Sequence, residues 1–465
     1  MKRLSGWDAV LLYSETPNVH MHTLKVAVIE LDPDRRDFTI DAFRQVIAER
    51  MEKLEPLSYQ LIDVPGKFHH PMWREHCEID FGYHIRPWRL PAPGGRRELD
   101  EAIGQIGSTA LDRSHPLWEM YFVEGLANHR IAVVLKIHHA LADGVASANL
   151  MAHGMDLLRR PEVGTYTPDP APTKRQLVGS AFADHLRHIG RIPATLRYTV
   201  QGINRVRRSK GSFRPEFTPP PTFMNHLLTP ERRFATATLA LADVKETGKK
   251  LGATINDMVL AMSTGALRSL LLRYDGKAEP LLASVPVSYD FSPERIWGNH
   301  FSGMMVALPT DLADPLERVR ASHDNAVTAK ESHQLMGPEL ICRWAAYWPP
   351  RPTEAMFRWL SSRDGQNKVL NLNISNVPGP RERGRVGGAT VTEIYSVGPL
   401  TAGSGLNITV WSYVDQLNIS VLSDGATLKD PHEVTEAILA AFVEIRRAAG
   451  LSEELTVVPL AMAQA

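Results

Sequence analysis

The feature that most constrains this chain is a nearly apolar run that leads directly into two histidines. Residues 131–137 read I-A-V-V-L-K-I, and the next seven residues, 138–144, read H-H-A-L-A-D-G. A run that is nonpolar on both faces predicts a strand buried on both sides of a sheet. Such a strand would hold His138 and His139 at the edge of a core. A fixed imidazole there could take a proton from an alcohol near neutral pH.

The residues after the histidines predict a tight turn into a helix. Asp143 lies four positions after His139, close enough to fix the local turn or the ring. Gly144 would let the backbone turn sharply or come close to a substrate. Helical spacing then covers 145–158, with Asp143 in the position of an N-cap.

These seven residues resemble the H-H-x-x-x-D-G motif of chloramphenicol acetyltransferase-like acyltransferases. That group includes peptide-synthetase condensation domains, plant acyl-CoA acyltransferases and bacterial wax ester synthase/diacylglycerol acyltransferases. Further segments resemble blocks of the last family, in its order: 4–9 with 14–17 (D-A…E-T-P), 116–119 (P-L-W-E), 256–257 (N-D), 298–299 (G-N), 375–380 (S-N-V-P-G-P), 405–408 and 412–413 (S-Y). One position departs from the pattern, because Asp415 stands where the family usually has glycine. A carboxylate there could alter a turn or a pocket wall, which leaves the choice of acceptor open.

The resemblance implies an α/β protein with two similar chloramphenicol acetyltransferase-like halves and an active site in an interdomain tunnel. It implies an O-acyltransferase that moves a long-chain acyl group from acyl-CoA to diacylglycerol, making triacylglycerol. Two alternatives stay open: a wax ester synthase that uses a long-chain alcohol, and a catalytically idle lipid-binding protein of the same fold. The N-D and P-L-W blocks argue against a condensation-type enzyme. Acyl-CoA would be a substrate, so no cofactor is expected.

Two mixed segments flank a proline-rich stretch, which predicts a chain in three parts. These are 1–160, which carries the H-H-x-x-x-D-G motif, a linker at 161–234, and 235–465. The expected strands are 23–31, 131–137, 281–287, 304–308 and 369–375, with a hairpin formed by 406–411 and 416–422. The expected helices are 40–54, 145–158, 243–251, 255–272 and 431–447.

The linker contains a strongly basic stretch. Residues 174–214 carry ten Lys/Arg and one acid, although the whole chain balances 52 Lys+Arg against 52 Asp+Glu. Apolar residues recur there mostly every three or four positions, which predicts an amphipathic helix kinked at Pro193. They are Val178, Phe182, Leu186, Ile189, Leu196, Val200, Ile203 and Val206. Three interpretations stay open: attachment to an anionic membrane or a lipid droplet, a basic rim for the phosphates of coenzyme A, and a packed helix with a solvated basic face.

Acyl transfer to an alcohol needs a base, donors for the oxyanion and a site that excludes water. The resemblance assigns the base to the second histidine of the motif, His139, which leaves His138 as a supporting or solvent-facing residue. No serine or cysteine stands in a nucleophile elbow, so direct transfer without an acyl-enzyme is the simpler scheme. Asp143 is expected to orient the site and to pair with an arginine, which is the usual arrangement in the fold family.

Five further residues are candidates for binding substrate or supporting the site. Asn256 could bind the oxyanion or the coenzyme arm, or it could cap its helix. Trp118 could wall a channel or lie in the core. Glu15 could polarise the acceptor, pair with a base or be a surface acid. Ser375 and Asn376 precede a tight turn and could form an oxyanion or pocket loop.

Composition argues against several other classes of protein. A net charge of zero gives no global sign of nucleic-acid binding, and two cysteines in 465 residues fit a reducing compartment. No signal peptide or membrane-spanning run is visible, so we expect a cytoplasmic protein that touches membranes or lipid droplets from outside. No metal site is expected, because the side chains of His138 and His139 would point apart in a strand. The histidine-rich stretch at 69–84 has no recognised zinc spacing.

Overall fold

The computed structural model describes residues 1–32, 38–155, 168–209, 218–363 and 369–463. In chain order its strands are β1 (Lys2–Arg3), β2 (His22–Glu30), β3 (Gln60–Ile62), β4 (Met72–Arg74), β5 (Ile85–Arg89), β6 (Trp118–Leu126), β7 (Arg130–His138), β8 (Arg232–Ala240), β9 (Leu281–Ser288), β10 (Phe301–Leu308), β11 (Leu372–Pro378), β12 (Arg385–Val386), β13 (Ala389–Val397), β14 (Leu406–Tyr413) and β15 (Gln416–Asp424).

Helices alternate with these strands, as expected of a mixed α/β fold. They are α1 (Gly6–Tyr13), α2 (Ile40–Ala48), α3 (Phe81–His84), α4 (Arg96–Gly107), α5 (Gly144–Gly154), α6 (Lys174–Arg208), α7 (Leu241–Leu251), α8 (Ile255–Tyr274), α9 (Pro315–Met336), α10 (Leu340–Ala345), α11 (Pro350–Ser361) and α12 (His432–Ala448), with short 3-10 helices at Glu55–Ser58 and Pro65–Lys67. Among the described residues, no helix is long and apolar enough to cross a bilayer.

The predicted apolar run forms a central strand of the first six-stranded sheet, whose order is β12-β13-β2-β7-β6-β5. Strand β7 pairs antiparallel with β2 on one edge and with β6 on the other. Seven of its nine residues are buried, which confirms the expected strand. Its one internal charge, Lys136, is compensated by Glu119, whose carboxylate lies 2.8 Å from the ammonium. The two motif histidines are therefore delivered by a strand fixed on both edges.

The second six-stranded sheet contains a split between two of its strands. Its order is β10-β9-β11-β14-β15-β8, and the predicted hairpin of β14 and β15 is confirmed. Strand β11 runs parallel to both of its neighbours. Its pairing with β9 covers Leu372 and Asn373, after which both strands continue without pairing to each other. This split leaves one edge of β11 open over residues 374–378.

The two sheets exchange elements along the chain. Strand β13, far along the sequence, pairs with β2 in the first sheet, from Thr390 opposite Glu30 to Val397 opposite Leu24. In return, α4 packs on β8 of the second sheet. Strand β2 thereby gains a partner on an edge that would otherwise carry unpaired backbone groups. The first sheet therefore combines strands from both sides of the predicted boundaries at residues 160 and 235. The predicted division into three parts stays a prediction.

Several predicted helices are confirmed with shifted ends, and some were missed. Helix α2 ends at Ala48 instead of 54, and α5 ends at Gly154, with 156–158 outside the described residues. Helix α9 was not predicted, because the residues that it buries are mainly small or polar and give no apolar period: Arg318, Val319, Ser322, Ala326 and Ala329. The proline-rich stretch at 161–167 lies outside the described residues.

The basic segment forms one helix, α6, which continues through Pro193. The residues that pack against the rest of the protein are not the predicted apolar ones. The fully buried positions are Leu177, Ala181, Asp184, Thr195 and Gly202, whereas seven of the eight predicted apolar residues are exposed. The sequence thus predicted the helix correctly but not which face it buries.

Helix α1 approaches α10 closely at a glycine. Its N-cap is Ser5, whose side chain accepts from the backbone amide of Asp8. A Cβ on Gly6 would lie 2.2 Å from the backbone nitrogen of Ala346. No larger side chain fits without moving one helix, so Gly6 fixes the position of the helix that carries Asp8.

We predict that Gly6→Ala lowers the free energy of unfolding by about 1–3 kcal/mol, because the methyl group must displace the α10 backbone. Helix propensity alone would favour alanine, so a decrease isolates the clash. The matched control is Gly190→Ala in α6, where the Cβ meets nothing within 4 Å. Urea unfolding of both variants is the measurement. Equal stability of Gly6→Ala and wild type would contradict the close approach.

Candidate active site

His139 lies just beyond β7, and its ring is held by an asparagine from another part of the chain. The backbone amide of His139 donates to the carbonyl oxygen of Met21 at 2.7 Å. Its Nδ1 lies 2.9 Å from Oδ1 of Asn299. The amide Nδ2 of Asn299 donates to Oδ1 of Asp8 and to the His139 carbonyl oxygen, both at 2.7 Å. Because both amide protons are used, Oδ1 must accept from the ring, so Nδ1 carries the proton and Nε2 keeps its lone pair.

The surroundings of His139 favour its neutral form. Burial lowers the pKa of His139 below its usual value, and the nearby charge of Lys25 acts in the same direction. The charge of Asp143 and the hydrogen bond that the ring donates to Asn299 oppose this shift without cancelling it. The residue keeps some exposure, and its ring centroid lies 5.4 Å from that of Phe301. A neutral imidazole with an accessible lone pair is the form that a general base requires.

Asp8 supports Asn299 from behind and is itself buried, with 2% exposure. Its Oδ2 accepts from the hydroxyl of Ser5 at 2.6 Å. Burial raises the pKa of Asp8 to about 6, although its bonds from Ser5 and Asn299 act in the opposite direction. Ser5, Asp8, Asn299 and His139 therefore form one hydrogen-bonded chain. Sequence reasoning missed the roles of Asp8 and Asn299; the available signal was that each sits in a matching block, at 4–9 and 298–299.

His138 is fully buried and has a different environment. Its Nδ1 accepts from the backbone amide of Ala140 at 3.0 Å, and burial lowers the pKa of the ring to about 4. Its Nε2 lies 3.8 Å from Oε1 of Glu15, and neither atom has a hydrogen-bond partner among the described residues. The solvent-facing alternative for His138 is wrong. Its neutral ring instead stabilises the turn after β7.

Glu15 lies beside the first histidine and not at a free surface. Its Oε2 forms an ion pair with Arg113 at 2.7 Å, and its side chain is 9% exposed. Burial acts to raise the pKa of Glu15, but the charge of Arg113 and its hydrogen bond to Oε2 act in the opposite direction, and the pKa lies below its usual value. The surface-acid interpretation is therefore wrong, and Glu15 neighbours His138, not His139.

Asp143 fixes the turn and does not bond to the His139 ring. Its two oxygens each lie 3.0 Å from a terminal nitrogen of Arg295, which gives the expected pairing with an arginine. Oδ1 also accepts from the amide of Ala146, so the predicted N-cap of α5 is confirmed. Oδ2 accepts from the backbone amide of His300 at 2.9 Å. This carboxylate therefore locks the motif turn to the loop that carries Asn299.

Gly144 brings the end of β11 against the motif. A Cβ at this position would lie 3.2 Å from Cγ2 of Val377, so a larger residue would press on that strand. Ser375 lies two residues before Val377 and therefore on the same face of β11. Ser375 and Asn376 are both partly exposed. The structure thus places the S-N-V-P block beside the motif, while the roles of Ser375 and Asn376 stay predictions.

The motif turn bridges the split in the second sheet. On one side, Asp143 bonds to the loop before β10, and Ala142 forms a bridge with Gly298. On the other side, Gly144 contacts the end of β11. The motif turn that carries His139 therefore lies at the open end of the split between β9 and β11. An extended substrate in this opening would reach the motif.

For Trp118 and Asn256, the structure excludes one of the two roles that the sequence left open. Trp118 is completely buried, its Nε1 donates to the carbonyl oxygen of Leu57 at 2.6 Å, and its ring stacks on His84. It belongs to the core, so the channel-wall interpretation is wrong. Asn256 does not cap α8, because Thr254 does so in a capping box with Asp257. Asn256 is partly exposed in the first helical turn, and its function stays a prediction.

A buried lysine adds positive charge near the site. The ammonium of Lys25, on β2, donates to the hydroxyl of Ser396 at 2.6 Å and lies 5.5 Å from the ring centroid of Trp411. Burial lowers the pKa of Lys25 to about 8, and Asp143 opposes that shift. Sequence reasoning missed this residue, although a lysine inside an alternating apolar strand was the available signal.

The sequence left two questions open, the effect of Asp415 and the role of the histidine-rich stretch at 69–84. Asp415 lies in the exposed turn between β14 and β15 and pairs with Arg383 at 2.8 Å, which favours the interpretation that it affects a turn. Within the described ranges, no three His, Cys, Asp or Glu side chains are placed to share a metal ion. His69 contacts α6, where the ring centroids of His69 and His185 are 4.4 Å apart, and Nδ1 of His70 lies 2.9 Å from the hydroxyl of Tyr13.

The fold and site can now be set against known proteins. Residues 4–259 match the wax ester synthase/diacylglycerol acyltransferase catalytic domain, and residues 297–446 match the C-terminal domain of the same family. The chain belongs to this family. A Mycobacterium tuberculosis (strain H37Rv) protein, provisionally named a diacylglycerol O-acyltransferase, is 81% identical over 100% of both chains. Another of that strain, named in the same way, is 34% identical over 97% of this chain and 98% of its own.

Solved structures agree with the fold of this family. A wax ester synthase/diacylglycerol acyltransferase from Marinobacter aquaeolei VT8 matches with a TM-score of 0.69 and 24% identity, over 97% of this chain and 100% of that one. The first condensation domain of the CDA synthetase matches with a TM-score of 0.58 and 15% identity, over 98% of each chain. The α/β fold with two related halves, expected from the resemblance, is confirmed.

We predict that Arg295→Met lowers the free energy of unfolding by about 3–5 kcal/mol, because it leaves the buried Asp143 carboxylate without its cation. Asp143→Asn keeps an oxygen to cap α5 and removes the charge. The double variant should therefore recover part of the loss seen in Arg295→Met alone. Urea unfolding of the three variants at pH 7 gives the coupling. Strictly additive losses would show that the two side chains do not interact.

Proposed function

We propose that this protein is an acyl-CoA-dependent diacylglycerol O-acyltransferase that uses His139 as a general base in direct transfer. The observation that carries the proposal is the chain from Asp8 through Asn299 to Nδ1 of His139, which leaves Nε2 free to accept a proton. Family membership supports acyl transfer, and the names of the relatives support diacylglycerol as acceptor.

The proposed reaction is one nucleophilic addition to the thioester, followed by breakdown of the tetrahedral intermediate. Nε2 of His139 takes the proton of the acceptor hydroxyl as its oxygen attacks the thioester carbonyl carbon. The tetrahedral intermediate then expels the coenzyme A sulfur, the carbon–sulfur bond breaks, and the imidazolium returns its proton to the thiolate. The products are an ester and free coenzyme A. General-base assistance of this kind is worth about 10²–10⁴-fold.

Direct transfer is favoured because no activated nucleophile accompanies the base. In the described part of the chain, no serine, threonine or cysteine side chain hydrogen-bonds to His139. Cys342 lies near Phe301, with its sulfur 3.6 Å from that residue's carbonyl oxygen. Burial raises the pKa of Cys342, so its thiol stays protonated and a poor nucleophile.

The split between β9 and β11 is the passage that we propose for the acyl donor. The free edge of β11 offers backbone donors and acceptors to the amide groups of the coenzyme arm, and this edge ends beside Gly144 of the motif. The interdomain tunnel expected for the family would include this opening. A wax ester synthase would use the same passage, and a long-chain alcohol would take the place of diacylglycerol. An idle lipid-binding protein would not need the ordered proton arrangement at His139.

We predict that purified protein given labelled palmitoyl-CoA and a panel of acceptors forms triacylglycerol from diacylglycerol, and that His139→Ala lowers the rate by at least about 100-fold. His138→Ala is the paired control, because that ring has no free path to substrate and its loss should act mainly on stability. Product chromatography and thermal melting are the measurements.

Each outcome of that assay separates the alternatives. Ester formation only with long-chain alcohols would assign wax ester synthesis. Near wild-type activity of a folded His139→Ala variant would remove His139 as the base. Mass spectrometry after acyl-CoA alone should show no covalent acyl group, and a stoichiometric adduct released by alcohol would overturn direct transfer.

We predict that Asn299→Ala lowers kcat by about 10–100-fold and leaves both KM values nearly unchanged, because the ring loses its orienting partner. The hydrogen bond that the ring donates to Asn299 raises the pKa of His139. Its removal should therefore move the acid limb of the kcat profile, which lies below pH 6.5, to still lower pH.

Asn225→Ala is the matched control for Asn299→Ala. Asn225 is also buried and also donates two hydrogen bonds, to the carbonyl oxygens of Asn371 and Gly403 in the second half. It should cost similar stability while keeping the wild-type kcat and acid limb. An unshifted acid limb in Asn299→Ala would reduce Asn299 to a structural residue.

A further inference from the structure

Helix α6 exposes a long apolar stripe. Its members, 40–64% exposed, are Val178, Phe182, Leu186, Ile189, Leu196, Val200 and Ile203. From Val178 to Ile203 the stripe is roughly 38 Å long at 1.5 Å per residue. A continuous row of this size is uncommon on a protein that meets only water. Something other than water is therefore expected to cover it.

The stripe is separate from the face that holds α6 on the protein. Five of its residues each follow a residue of the packed side by one position, as in 177/178, 181/182, 188/189, 195/196 and 202/203. One position is about 100° around a helix. The packed face is secured by the pair between Arg3 and Asp184 at 2.6 Å and by the close approach of Gly202 to Met336. The stripe could thus insert into an apolar medium while α6 stays packed on the rest of the protein.

The charge of α6 identifies the kind of surface. Lys174–Arg208 contains eight Lys/Arg, all exposed, and one acid. That acid, Asp184, already pairs with Arg3 and Arg187, so it adds no free negative charge. A net charge of +7 beside an apolar stripe is the composition of helices that lie in the interface of an anionic membrane.

A second copy of the chain fits this stripe poorly. Packing two α6 helices stripe to stripe would bring two charges of +7 together, and like charges across an interface disfavour association. An anionic surface has the opposite charge and also accepts the apolar side chains. The charge of α6 therefore favours a lipid surface over a dimer.

The apolar surface continues beyond α6. Ile189 lines a cavity together with Phe68, itself 44% exposed, and with Pro350 at the start of α11. Helix α11 then exposes Met356, Trp359 and Leu360, which share one face by their spacing. Arg3, which holds α6, also lies two residues before Ser5 of the active-site chain. The segment from Arg3 to Ser5 therefore connects the exposed apolar surface to the hydrogen-bonded chain that ends at His139.

We infer that the α6 stripe, flanked by α11, docks the protein on an anionic phospholipid surface, with α6 lying in the plane of the headgroups. This inference rests on the proposed function in one respect, since a diacylglycerol acceptor dissolves in such a surface and not in water. The remaining support is the exposure, spacing and charge of α6 itself.

The test is flotation of the full chain with vesicles of phosphatidylcholine and phosphatidylglycerol at 7:3. Phe182→Gln, Ile189→Gln and Val200→Gln are combined, because glutamine keeps the helix but removes apolar contact. Binding should fall at least about tenfold. The control combines Leu272→Gln and Val457→Gln, two apolar residues that are exposed outside α6, and should float like wild type. Unchanged flotation of the α6 variant would overturn the inference.

A second variant tests the charge. Arg191→Gln, Arg197→Gln and Arg208→Gln together should weaken binding to the same vesicles and reduce its dependence on salt. Wild-type binding should also fall several-fold on vesicles of phosphatidylcholine alone. If the charge variant floats normally but shows a raised KM for a short acyl-CoA, the basic face binds coenzyme phosphates, and the lipid inference is wrong.

Activity is measured separately so that the two proposals can fail independently. With a short acyl-CoA and a short soluble alcohol, the stripe variant should turn over at the wild-type rate. His139→Ala should float like wild type while making no ester. An inactive wild type that floats would overturn the proposed function alone. A wild-type dimer that the stripe variant dissociates, with no flotation, would assign the stripe to a second copy.

Discussion

The buried side-chain amide of Asn299 determines which nitrogen of the His139 ring carries the proton. Asn299 has two donors and one acceptor oxygen in reach of three partners, and the donors are taken by Asp8 and the His139 carbonyl. A reversed amide would leave Asp8 without that donor and set nitrogen against the ring. Each unsatisfied buried group costs about 1–3 kcal/mol, so the observed orientation is strongly preferred. The tautomer of His139 therefore follows from hydrogen-bond satisfaction, without a carboxylate on the ring as in a Ser-His-Asp triad.

The carboxylate of the motif serves the same arrangement from a distance. Asp143 holds Arg295 and the backbone amide of His300, and Asn299 belongs to the loop between these two contacts. A buried ion pair adds little net stability compared with an apolar pair, but it fixes which loops lie together. We therefore regard Asp143 as a positioning residue. Its contribution is to fix the relative position of two loops that are more than 150 residues apart in the sequence.

Local pattern made part of this structure predictable. Strand β7, the β14–β15 hairpin and α12 follow from apolar periodicity, which burial imposes on each element separately. The arginine partner of Asp143 followed from the family resemblance. The pairing of β13 with β2 did not follow, because a strand's own sequence shows that it is half-buried but not which edge it joins. Asp8 and Asn299 were missed for the same reason, since their contact spans 291 positions.

Helix α6 shows the limit of amphipathic pattern most clearly. A stripe read from sequence shows that a helix has two faces, but it does not show which face the fold uses. Here docking relies on small residues that allow close approach, as at Gly202, where a Cβ would lie 2.5 Å from the Met336 carbonyl oxygen. The larger apolar side chains are left outside, at a solvation cost that a second apolar phase would remove. The proposed diacylglycerol acceptor would be dissolved in such a phase, and on that proposal the exposed stripe and the polar site act in the same reaction.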